Sequence, residues 1–156
     1  MATLSRPRGR VRTSEPRSGD RPVLLATLGV PFQPEAAAFA VDSAVEGARP
    51  LIVVNVVELL LAPASVVLGY AHLDDLPEDA AALRAPAELA QSLGVPVERL
   101  RVASPHPVDA LLEVVAERSP GLLVFGPDRV RMRRRAYRKA AKAVGERAPC
   151  LVWLPD

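Results

Sequence analysis

The sequence predicts an α/β protein: a five-stranded, mainly parallel sheet in the order 3-2-1-4-5 with helices on both faces. Three observations carry this. Short apolar runs bounded by Pro and Gly alternate with stretches of helical periodicity along residues 22–154, the pattern of repeated βαβ units with right-handed crossovers. One run, LIVVNVV at residues 51–57, is the most β-branched in the chain and belongs at the centre of a sheet buried on both sides. The runs that carry charges or lie at the end of the chain, VPVERLRV at 95–102 and CLVWL at 150–154, belong at its edges.

Each element has its own local reason. PVLLATLG at 22–29 is a short apolar run closed by Pro and Gly, a buried strand. A helix follows over residues 34–46: Ala37, Ala40, Val41, Ala44 and Val45 fall at helical spacing, Pro34 suits the first turn and Gly47 the C′ position. Residues 58–70 are apolar but irregular, and are expected to wrap the mouth of the sheet as a loop. An acidic patch of Asp74, Asp75, Glu78 and Asp79 leads into a second helix ending near Gly94, with Pro86 either kinking or starting it. The third helix, residues 108–118, should bury Val108, Leu111, Leu112 and Val115, and GLLVFG at 121–126 is the fourth strand. This order puts the topological switch point between strands 1 and 4, where the loops 27–32 and 126–134 meet.

Composition narrows the class. A chain of 156 residues, 49% hydrophobic, suffices for one domain, expected over residues 21–156, and its 4% aromatic content leaves the core to Leu, Val and Ala. Residues 1–20 lack apolar periodicity and are rich in Arg, Ser, Pro and Gly, so a disordered basic tail is expected there. An Arg-rich start also suits an organellar transit peptide, but Pro7, Gly9 and Pro16 spoil the amphipathic helix that requires. A lone cysteine, Cys150, excludes an internal disulfide and fits a reducing, cytoplasmic setting. No run approaches the ~20 apolar residues that cross a bilayer, so no membrane association is expected.

The net charge of +2 hides an asymmetry. Residues 1–21 hold six Arg against Glu15 and Asp20, and residues 129–147 hold nine Arg and Lys against Glu146, so a body of charge −10 carries a +4 tail and a +8 helix. Within that helical stretch Arg131, Arg135, Arg138 and Lys142 form a stripe opposite Met132, Ala136, Ala140 and Val144. Cations in a first helical turn oppose the macrodipole, each at about 0.3–1 kcal/mol when exposed, and an anion would relieve that cost. Two readings stand: a phosphate, nucleotide or nucleic-acid site held by Arg forks, or a solvated face screened by salt or paired with the acidic patch.

Other reactive side chains offer little. His72 and His106 have no second ligand at i+3 or i+4, so no metal site is expected. Cys150 in an apolar run reads as an inert core thiol, Ser104 has no partner base in its segment, and Asp74-Asp75 sits on a solvated acidic stretch. No enzymatic activity is expected.

Four segments, VLLATLGVP, LIVVNVVE, VASPHPVDALLEVVAERSPGLLVFG and ERAPCLVWL, resemble in order and spacing the universal stress proteins, over residues 21–156. The resemblance implies the adenine nucleotide alpha-hydrolase-like fold, a stress-response regulatory role, and a two-fold dimer through the last strand, with Leu151, Val152, Trp153 and Leu154 at the interface. The family's nucleotide-binding members carry Gly-x-x-Gly, about nine residues, then Gly-Ser/Thr after strand 4. Here Gly126 holds the first position, Arg129 replaces the second glycine, and Arg138-Lys139 or Lys139-Ala140 replaces the closing pair. The family's Asp-Gly-Ser turn is Leu28-Gly29-Val30. Gly126, Asp128, Arg129, Arg138 and Lys139 are thus the remnant anion or nucleotide site, and ATP is not expected as a cofactor.

Overall fold

In a computed structural model that describes residues 21–59 and 77–155, five parallel strands form one sheet in the order β3-β2-β1-β4-β5. The strands are β1 (Val23–Thr27), β2 (Leu51–Glu58), β3 (Val97–Ser104), β4 (Leu122–Phe125) and β5 (Leu151–Trp153); the helices are α1 (Pro34–Glu46), α2 (Pro77–Ser92), α3 (Pro107–Arg118) and α4 (Arg134–Arg147). The expected fold class, strand order and edge positions are those observed. The expected tail over residues 1–20, the loop at 60–70, His72, the acidic pair Asp74-Asp75 and the last residue, Asp156, lie outside the described residues, as do the side chains of Glu78 and Asp79.

Alternation along the strands divides the core in two. Val23, Leu25, Leu51, Val53 and Val124 face α1 and α2, with Ala36, Ala40, Leu83 and Ala87 filling the space between. Leu24, Ile52, Val54, Leu123 and Phe125 face α3 and α4 against Leu111, Val115, Ala140 and Val144. Small residues on the helices let them sit close to a sheet whose own side chains are large and branched. At the amino edge the carbonyls of Pro96, Pro50 and Pro22 accept from Leu51, Val23 and Gly121 N–H at 2.9–3.0 Å. Each of these prolines offers an acceptor but no donor, so the ladder stops there.

Several boundaries move by one or two residues, each for a physical reason. In α1 the buried set is Ala36, Ala40, Val41 and Ala44, while Val45 is exposed, because the first turn rotates Ala36 toward Gly126. Gly47 keeps a right-handed φ of −85° and the left-handed residue is Ala48, φ 48°. Pro86 lies buried inside α2 without ending it. In α3 Ala110 and Val114 join Leu111 and Val115 in the core, whereas Leu112 is only partly covered. Cys150 precedes β5 instead of lying within it. Finally α4 begins at Arg134, so Arg129, Arg131 and Arg133 belong to the loop before it.

Candidate functional site

The carboxyl ends of β1 and β4 lead into two loops that meet, as a switch point requires. The loops are joined by main chain: Gln33 N–H donates to Gly126 O and Asp128 N–H to Pro31 O, both at 2.9 Å, and Phe32 pairs with Pro127 in an antiparallel bridge. Thr27 Oγ1 donates to Val30 O at 2.7 Å, and Gly29, at φ 70°, gives its N–H to Asn55 Oδ1 at 2.9 Å. Because Gly29 N–H can only donate, it fixes the amide of the fully buried Asn55, whose Nδ2 has no partner. Leu28 presents an aliphatic side chain where the resemblance would place a carboxylate.

The second loop is folded around Asp128. Its Oδ1 accepts from Val130 N–H at 2.9 Å, and its carbonyl accepts from Arg131 and Met132 N–H at 3.2 and 3.0 Å. Gly126 N–H donates to Ala26 O. From 126 to 132, five N–H groups therefore have acceptors inside the protein, and Pro127 has none to offer. Gly126 also has a packing role. A Cβ there would meet Ala36 Cβ at 2.3 Å, so glycine is what lets α1 approach the end of β4.

Behind this loop Phe125 and Tyr137 stack with centroids 6.0 Å apart, and Arg129 lies over the Tyr137 ring at 5.7 Å. Burial pushes the Tyr137 phenol up, and the Arg129 charge partly opposes the shift. Burial likewise pushes the Cys150 thiol up, partly opposed by a backbone hydrogen bond from Leu123, so the thiol is favoured over the thiolate.

The five residues expected at the remnant site are thus divided. Gly126, Asp128 and Arg129 share the loop; Arg138 lies on the outer face of α4; Lys139, one residue on, turns toward a groove of about 460 Å³ between α3 and α4. Leu28 and Val56 line the inner end of the groove, and His106, Lys139 and Arg147 its rim. Arg147 pairs with Asp109 at 2.8 Å, joining the last turn of α4 to the first turn of α3, with each charge favoured by its helix end. Ala136, assigned to the inner stripe by spacing, is exposed and lines this groove, while Tyr137 and Ala141 take the inward positions.

Sequence reasoning missed Asn55, Phe125 and Tyr137. A single amide inside LIVVNVV was a visible signal; the aromatic stack joins residues twelve apart across a loop and had none. No group of three or more His, Cys, Asp or Glu able to hold a metal occurs among the described residues, and no helix among them is long and apolar enough to cross a membrane.

The model of the universal stress protein family matches residues 21–154. The chain belongs to the universal stress protein family. No curated protein matches it closely enough to count as a relative. Among solved structures, it is similar to a universal stress protein in complex with cAMP, at 23% identity and TM-score 0.58 over 87% of this chain and 96% of that one. A family protein from Burkholderia pseudomallei aligns at 21% identity and TM-score 0.61, over 90% of this chain and 98% of that one. The Archaeoglobus fulgidus protein in complex with dAMP aligns at 17% and 0.61, over 86% and 96%. At these identities the likeness is one of fold.

Proposed function

We propose that this universal stress protein is a non-catalytic, cytoplasmic interaction module. In this reading it dimerises through β5, does not hold ATP in the manner of the family's nucleotide-binding members, and meets an anionic partner on the basic face of α4. The observation that carries the ATP part is the inward-turned loop at 126–132: five of its N–H groups, which would otherwise be open to phosphate, already donate to Ala26, Pro31 and Asp128. The expected result is purified protein without stoichiometric adenine nucleotide and no saturable thermal shift with Mg-ATP. A ligand present at ~100 times its Kd would add roughly 2.7 kcal/mol, about 5 °C or more in a domain of this size, so the experiment has ample range. Co-purified nucleotide would sink this reading.

The groove between α3 and α4 supports a second reading, a small anionic ligand held at Lys139. Its inner end is apolar and its rim carries His106 and Lys139, and related structures are described with cAMP and dAMP bound. In the same titration, a shift with AMP that disappears in Lys139→Gln would select it over the first.

Support for the dimer comes from the free edge of β5. Among the described residues the strand pairs only with β4, and Leu151 is 70% exposed. Trp153 stacks on Phe39 at 4.6 Å, which fixes the strand's inner face and leaves its edge open. Sedimentation at tens of micromolar should give a dimer, and Val152→Pro, which removes a strand N–H, should shift it to monomer. A wild-type monomer under these conditions would refute the assignment.

A further inference from the structure

We infer that the outer ridge of α4 is a docking surface for the sugar-phosphate backbone of duplex nucleic acid, bound without regard to sequence. The inference rests on the reading of α4 as the face that meets an anionic partner, and names that partner. Arg135, Arg138 and Lys142 follow one another at helical spacing and are exposed, and Arg131, in the turn before the helix, is exposed as well. The row from Arg135 to Lys142 spans about 10 Å. A duplex presents one phosphate charge per ~1.7 Å of axis, so such a row faces several phosphates at once.

Two features separate this ridge from an ordinary solvated face. None of these four cations is in an ion pair among the described residues, although Arg84, Arg118 and Arg147 all are. No acidic side chain interrupts residues 129–145, and three Arg, 133 to 135, crowd the helix start, where each positive charge opposes the dipole and no side chain caps the exposed N–H groups. The presentation is rigid: Ala140 and Val144 anchor the opposite side of the helix in the core, and Tyr137 is clamped between Phe125 and Arg129.

The same observations choose among polyanions. Single strands are gripped largely by stacking on aromatic rings, and every described Phe, Tyr and Trp ring here is buried or partly covered, Tyr137 beneath Arg129 and Trp153 against Phe39. A membrane-surface helix needs an apolar face to insert, and that face of α4 lies on the sheet. Arg forks suit phosphate oxygens.

The test is fluorescence anisotropy of a short mixed-sequence DNA duplex with the full-length chain over a range of salt. Wild type is compared with Arg131→Gln/Arg135→Gln/Arg138→Gln and with a tail variant, Arg6→Gln/Arg8→Gln/Arg10→Gln/Arg12→Gln. Wild-type affinity should fall steeply with salt, and the α4 variant should bind tenfold or more weakly at low salt with its log–log slope reduced by about 2.7, near 0.9 for each lost phosphate contact. The tail variant should keep most of the binding. Should the triple variant melt early, Arg138→Gln/Lys142→Gln reads the same quantity with a slope change of about 1.8. Wild-type affinity and slope in a folded α4 variant, with binding lost in the tail variant, would overturn the inference. If the wild type binds polyglutamate through α4 but not the duplex, this inference falls and the anionic-partner reading stands; if it binds neither, both fall.

Discussion

Replacing Phe125 by Ala should cost about 3–5 kcal/mol, a large part of the stability of a domain this size, and shift the urea midpoint accordingly. Phe125 is fully buried at the carboxyl end of β4, opposite Ala26 of β1. It is also the ring on which Tyr137 stacks, and Tyr137 seats the first turns of α4 and carries Arg129. The substitution removes both the apolar area and the platform, and the small residues of the same core cluster, Ala140 and Ala110, cannot extend to fill the space. A second readout separates the stack from simple burial. The Tyr137 phenol is raised mainly by burial, so the folded state favours its neutral form. Its contribution to stability is complete below the unfolded value near 10 and is lost as pH rises through the folded value. The wild type should therefore lose stability on going from mildly to strongly alkaline pH, and Phe125→Ala should lose less over the same interval. A cost of no more than about 1 kcal/mol, with the alkaline slope unchanged, would show that the ring does not hold α4.

Gly126→Ala should destabilise by about 1–3 kcal/mol, through overpacking alone. The added methyl would lie 2.3 Å from Ala36 Cβ, so α1 must move away from the end of β4. That movement also strains the bond from Gln33 N–H to Gly126 O that ties the two loops together. Ala36→Gly removes the obstructing methyl but weakens the first turn of α1, by up to about 1 kcal/mol. The double variant should therefore be more stable than the sum of the two single losses predicts, by 1 kcal/mol or more in a thermodynamic cycle. Additive losses would mean that the contact with Ala36 is not the reason for glycine at this position. The result bears on the proposed function as well, because close packing against Ala36 is by itself a sufficient cause for glycine at position 126.

The residues of α4 show where one-dimensional reasoning stops. Helical spacing placed Arg131, Arg135, Arg138 and Lys142 on one stripe, and the last three do lie on an exposed ridge. It also placed Ala136 inward and started the helix early. The helix instead begins at Arg134, because the Asp128 carboxylate and carbonyl take up the N–H groups of residues 130–132 and close a turn first. An Asp after Gly-Pro announces a turn, but not which of the following residues it will hold.

By itself the sequence determined the architecture of this universal stress protein: apolar runs of strand length, helices with one apolar side and punctuation by Pro and Gly admit few parallel α/β arrangements, and charge in one outer strand and the terminal place of the other order them. It also determined the presence of a basic helix next to the switch point. Only the tertiary structure decided what happens at that point. The two loops join through Phe32 and Pro127, Asn55 turns its amide to Gly29, and Tyr137 is held between Phe125 and Arg129. These are contacts between residues far apart in the chain, made by main-chain groups or by side chains whose partners no periodicity names. The direction of each N–H, inward to a carbonyl or outward to a ligand, is fixed only when the neighbouring loop is in place.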